Sequence, residues 1–351
     1  MTPWFWRLMP TRRTSPPPRA PVPARRGQAV VAESDAPPEF AAVDWTSECA
    51  RGDLPFLAWM LEWPVDESVP IDARERAALR LLDRLAADPD AHAHLLPRAA
   101  AVVPALLARL RDPSTSLSEL SQRVSRDFNL VAEVIRVANS ARYRRDSAVV
   151  ELGHAIQLLG VEGLRQTIAR VVLKPLIDAR GGELAARSAS RLWEHTNMKS
   201  QLCAAWARDG GIDPFDAFVL ALAHNAAWSV TLRALDTLGG PRAWHLGHAL
   251  AQALAQRRDR LLTAIARQWQ LPGSVMQTAT EVGLRGPIAD ASMPVMHLYA
   301  GDLLASSLCI PAQAGNAAPD PAPASTLRTA AGPSVRGCLL AFASSRDARP
   351  G

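Results

Sequence analysis

This chain of 351 residues is poor in aromatics other than tryptophan, with two tyrosines and seven phenylalanines. It also lacks sustained period-two alternation bounded by hairpin turns, so sheet architectures are not indicated. Its four cysteines (Cys49, Cys203, Cys309, Cys338) are scattered and form no CxxC pair. That excludes a zinc knuckle and gives no basis for a disulfide framework, and a reducing cytoplasm is the expected setting. No run of 18 apolar residues is present, so no membrane span is expected. Trp4, Phe5 and Trp6 are too short a stretch, with arginines after rather than before it, to read as a secretory signal. There is no glycine-rich phosphate loop and no G-x-S-x-G elbow. Acidic residues are missing from positions 1–28, which hold six arginines (Arg7, Arg12, Arg13, Arg19, Arg25, Arg26). The net charge of +5 comes from there, because the remaining chain balances 33 basic against 34 acidic residues. A nucleic-acid-binding domain would carry its basic excess on the folded part.

What is abundant is Ala, Leu and Arg, unbranched side chains that lose little rotamer freedom in a helix. The expected fold class is therefore all-α. Residues 1–44 hold most of a proline- and arginine-rich stretch and are expected to be a disordered tail. Residues 45–112 read as a helical N-terminal extension. Asp72 and Glu75 form a capping-box pattern ahead of Ala78, Leu81, Leu82 and Leu85. The main domain is expected over 113–310. There Ser116 with Glu119 repeats the capping box, Asp127 caps the next helix, and Gly160 suits a left-handed helix end. Pro175 is expected to stop a helix, and Asp213-Pro214 to open one as N-cap and N1. Residues 311–351 begin with a proline-rich low-complexity stretch and are expected to be a C-terminal tail, so both termini should be flexible.

His195, the pair His224-Asn225 and Asp302 follow one another in a telling order. Around them run Leu117-Ser118-Glu119-Leu120, Ser125-Arg126-Asp127-Phe128 and Val134-Ile135-Arg136-Val137-Ala138-Asn139-Ser140. Ala155-Ile156-Gln157-Leu158-Leu159-Gly160, Leu192-Trp193-Glu194-His195-Thr196, Ala217 to Asn225, Trp269-Gln270-Leu271-Pro272 and Asp302-Leu303-Leu304-Ala305 complete the series. In this order, across residues 117–302, the chain resembles the HDOD family, the HD-related output domain of bacterial signalling proteins. The resemblance implies an HDOD-type helical bundle descended from the HD metal phosphohydrolases. In an active relative, the positions of His195, His224, Asn225 and Asp302 would ligate a divalent metal that makes hydroxide for phosphoester cleavage.

The chain departs from that pattern where it matters. Asn225 stands for the aspartate of the His-Asp pair, Ala227-Trp228 for its following Gly-Lys, and Arg257-Arg258 for a family histidine ahead of the W-x-LP segment. Asn225 is neutral and a weaker ligand, so no metal and no cofactor are expected at the remnant positions. His195 and His224 read as hydrogen-bonded histidines of a fold that outlived its chemistry. Interaction or pocket residues are sought at Asn139, Ser140, Trp193, His195, His224 and Asn225. Asn139-Ser140 also reads as a helix-ending turn that satisfies its own backbone. His92 and His94 read as solvated, and His245 and His248 as a pair without a carboxylate in sequence.

The expectation is a non-catalytic regulatory module in bacterial signal transduction, acting by protein–protein contact with a signalling partner whose identity the sequence does not give. Two alternatives stand beside it. One is a weakened metal phosphohydrolase or phosphodiesterase. The other is a nucleic-acid-associated regulator using the arginines of residues 1–28, whose binding would depend steeply on salt.

Overall fold

The computed structural model describes residues 43–63, 65–88, 95, 103–140, 142–143, 148–177, 182–239, 244–284, 291–310, 322–329 and 331–347. The arginine-rich residues 1–28, His92, His94 and the start of the proline-rich stretch at 311–321 lie outside them. Among the described residues there are helices and no strand, as the composition predicts; one isolated bridge links Val65 and Leu246.

In chain order the helices are α1 (Trp45–Leu61), α2 (Ala73–Ala87), α3 (Val103–Arg111), α4 (Leu117–Val124), α5 (Phe128–Ala138), α6 (Leu152–Ile177), α7 (Glu183–Asp209), α8 (Pro214–Asp236), α9 (His248–Gln268), α10 (Gly273–Leu284), α11 (Met293–Cys309), α12 (Ala322–Thr329) and α13 (Pro333–Asp347). The expected start signals work. Both capping boxes close, at Asp72/Glu75 and Ser116/Glu119. Asp127 caps α5, and Asp213 accepts from the backbone N–H groups of Phe215 and Asp216 at 2.8 and 3.1 Å.

α8 is the central element. It is apolar around its circumference, as a helix surrounded by others must be, and it packs against α7, α9 and α6. It is long and apolar enough to cross a membrane, yet 89% of its most apolar stretch is buried among the other helices. α11 lies along α7, and α9 carries α10 and α2.

Two expectations are corrected. Pro175 does not stop α6, which continues to Ile177; the break falls at Gly160, with φ of 63°. Pro175 forgoes the bond its N–H would give the Val171 carbonyl and the helix runs only two residues past it, whereas Gly160 takes a conformation that other residues adopt at a cost. The helical N-terminal extension adds to the core: α1 packs on α7, α9 and α11, burying Leu57, Met60 and Leu61. Finally, residues 322–347 are two helices rather than a tail. α13 packs on α7 and buries Val335 and Cys338. Asp209, at the end of α7, receives the backbone N–H groups of Ser334 and Val335, capping α13 from another helix. Gly332 makes that approach possible, since a Cβ there would lie 2.4 Å from an Asp209 carboxylate oxygen.

Replacing Asp209 with alanine should cost about 1 kcal/mol, as lost caps do. It should also expose residues 322–347 to limited proteolysis while the far-ultraviolet circular dichroism of the bundle persists. Unchanged cleavage would show that burial alone docks α13.

Candidate functional site

The helix faces bring the remnant positions together. On α7, His195 and Lys199 are four residues apart and so share a face. On α8, His224 and Asn225 point toward α7, with Trp228 one turn on. α9 supplies Arg258 and Asp259, and α11 supplies Tyr299, Asp302 and Ser306. Gly301 lets α11 come close, because a Cβ there would stand 2.5 Å from Cys203 Sγ on α7. Phe56 of α1 covers the cluster, its ring 4.6 Å from that of His195 and 5.8 Å from that of Trp228.

At the centre sits the ammonium of Lys199. Its Nζ donates to Asp302 Oδ1, to His224 Nδ1 and, at 3.1 Å, to Asn225 Oδ1. An ammonium has three protons, and here they meet three acceptors. Arg258 lies over the Trp228 ring at 5.1 Å and donates to the other Asp302 oxygen at 3.2 Å and to Asp259 Oδ1 at 2.9 Å. Asp259 also accepts from His224 Nε2 at 2.9 Å and from the Tyr299 hydroxyl at 3.1 Å. Asn225 Nδ2 donates to His195 Nδ1 at 2.9 Å and to Thr196 Oγ1 at 3.0 Å. His195 Nε2 faces Ser306 Oγ at 3.1 Å.

These partners assign the protons. Each imidazole accepts at Nδ1 and carries its hydrogen on Nε2. Both rings are neutral: burial pushes His195 down to about 4 and His224 down to about 3, where Lys199 and Arg258 add to the effect. Burial lowers the Lys199 ammonium from its ordinary value, and Asp302 opposes that shift. Burial would raise the Asp302 carboxyl, but Lys199 and Arg258 outweigh it and hold the group well below the usual carboxylate range. Arg258 is raised despite burial, by Asp259, Asp302 and the nearby Asp53 of α1.

The side chains do not fit the divalent metal that the resemblance implies for active relatives. Both Asp302 oxygens and His224 Nδ1 are engaged by donors, and a cationic ammonium stands where the would-be ligands converge. Asn225 is needed as an amide, because its two N–H bonds serve His195 and Thr196, which a carboxylate could not do.

The other singled-out residues lie elsewhere. Asn139 bonds the backbone of Ile135 and both polar backbone groups of Val149, and Ser140 bonds Val137 O, so this turn satisfies its own backbone. Trp193 is half-buried beside Lys174, 5.9 Å from ring centre to Nζ. Arg257 turns away from the cluster to Asp83 on α2. His245 does have carboxylate neighbours in space, Asp72 and Glu75, with ligand atoms within 4.8 Å of one another. Those carboxylates cap α2, and Glu75 accepts the His245 backbone N–H at 3.3 Å.

Lys199, Asp259, Tyr299 and Ser306 were not singled out from sequence. The signal for Lys199 was available: it falls one turn after His195, on the face of α7 that must be buried.

Lys199→Met should destabilise the protein by about 3–5 kcal/mol in urea denaturation, because it removes one of the two cations that neutralise Asp302 and strands the acceptors of His224 and Asn225. Asn225→Asp should cost about 1–3 kcal/mol, as expected for unsatisfied buried partners. A loss under about 1 kcal/mol in both, within the range of exposed pairs, would show that the cluster is solvated and carries little of the stability.

The HDOD domain profile matches residues 96–282 of this chain. A curated relative, an uncharacterized protein of Treponema pallidum (strain Nichols), is 21% identical over 179 residues, which are 48% of this chain. The match covers 34% of that protein, so this chain spans about a third of its length. Two solved structures share the fold. One is an HDOD domain protein of unknown function from Geobacter sulfurreducens, with TM-score 0.52 and 18% identity, covering 78% of this chain and 95% of that one. The other is a protein from Shewanella amazonensis SB2B named "Putative metal-dependent phosphohydrolase", with TM-score 0.51 and 16% identity, covering 78% of this chain and 99% of that one. The profile covers more than half of this chain, and this chain belongs to the HDOD family.

Proposed function

We propose that this chain is a non-catalytic regulatory module that works by protein–protein contact with a signalling partner in the bacterial cytoplasm. The observation that carries the reading is the engagement of Asp302, His224 and Asn225 by Lys199 and Arg258. Metal-assisted hydrolysis needs a Lewis acid with an open position for water or substrate. Here the donor atoms that would hold such an ion are spent on internal cations. Family membership supports the regulatory half of the reading, since HDOD domains are output domains of signalling proteins.

The alternative is a metal phosphohydrolase, the activity in the name of the Shewanella protein. In its favour, His195, His224 and Asp302 are close enough in space to belong to one hydrogen-bonded cluster.

The two readings part on catalysis. Wild type and His224→Ala would be assayed with phosphomonoester, phosphodiester and cyclic-nucleotide substrates in manganese, iron or magnesium. We expect the two proteins to give the same background rate. Wild-type turnover that disappears in His224→Ala would establish the enzyme and end the non-catalytic reading.

A further inference from the structure

We propose that Lys199 is a built-in replacement for the metal ion, and that Asn225 is the substitution that matches the site to a single positive charge. The inference deepens the non-catalytic reading of the cluster, but it can fail independently of it.

Three of the four side chains at HD ligand positions present an acceptor to one atom, Lys199 Nζ, and those acceptors come from two other helices, α8 and α11. The fourth, His195, is tied to the same group through Asn225. A cation that gathers two histidines, an amide and a carboxylate from three helices does the organising work of a structural metal.

A divalent ion with two neutral histidines and two aspartates sums to zero. An ammonium with two neutral histidines, one asparagine and one aspartate also sums to zero. Exchanging the ion for lysine while keeping aspartate at 225 would leave an uncompensated negative charge in a dry core, which is costly. Lys199 and Asn225 thus form a matched pair. Arg258, which bonds both Asp259 and Asp302, adds a second cation against a second carboxylate and leaves that sum unchanged.

A metal would need lone pairs from all four positions, whereas the Asn225 amide here gives two N–H bonds away from the centre, to His195 and Thr196. The site is therefore wired for an internal donor at its middle.

The test reverses the exchange. Wild type and Lys199→Ala/Asn225→Asp would be stripped with chelator and dialysed against manganese chloride. Bound manganese would be read by mass spectrometry and stability by thermal unfolding. We expect wild type to retain no stoichiometric manganese and to keep its melting temperature. The double variant should bind manganese stoichiometrically and melt several degrees higher with the ion than without it. Adding His224→Ala to the double variant should abolish both effects. Stoichiometric manganese in wild type, lost in His224→Ala, would overturn the proposal, as would a folded double variant that takes up none. If the double variant does not fold, wild type still decides, since retained manganese contradicts a resident ammonium and its absence at millimolar manganese upholds it. Wild type that binds manganese but hydrolyses nothing would sink this inference and spare the regulatory reading.

Discussion

A lysine ammonium cannot stay in a dry core unless every one of its protons is met, and the centre of this bundle is arranged around that requirement. Lys199 is fully buried and reaches acceptors on α8 and α11 from its place on α7. Meeting them sets how α7, α8 and α11 face one another. Gly301 then becomes necessary, because only a residue without a side chain lets α11 approach Cys203 closely enough. Arg258 and Asp259 extend the arrangement to α9, and Phe56 of α1 closes it from outside. Breaking one member of such a network costs more than the network as a whole contributes, since the penalty is the orphaned charge.

This view connects the fold to the proposed function. The HD arrangement gathers ligands from several helices because a metal needs them at one point. Once an internal cation takes that point, the bundle keeps its helix packing without depending on metal supply, and its surface is free to serve contacts. In this reading the buried cluster acts as scaffold, and regulatory function resides where partners reach, outside the old catalytic centre.

Much of the fold was legible in the sequence because helix starts are local events. The capping boxes at Asp72 and Ser116 and the Asp213-Pro214 pair each act within one turn, so their residues sit together in the chain. The order of His195, His224 and Asp302 was readable for a similar reason, since it follows the chain. Lys199 was passed over although it shares a face with His195, because a lysine on a long helix ordinarily reads as solvated and its acceptors on α8 and α11 lie 25 or more positions away in the chain. Arg258 was noticed as a missing histidine; its positive role depends on Asp302, 44 positions later. The helices at 322–329 and 333–347 were hidden by a proline- and alanine-rich composition; α12 docks on α11, and α13 on α7, which caps it through Asp209.

The central claim concerns protons, and nitrogen NMR on the wild-type protein addresses it most directly. The account predicts a slowly exchanging ammonium resonance for Lys199. It also predicts that His224 and His195 are both neutral, with hydrogen on Nε2 and a bare, accepting Nδ1. An imidazolium at His224, hydrogen on its Nδ1, or Lys199 protons exchanging as freely as those of exposed lysines would contradict it.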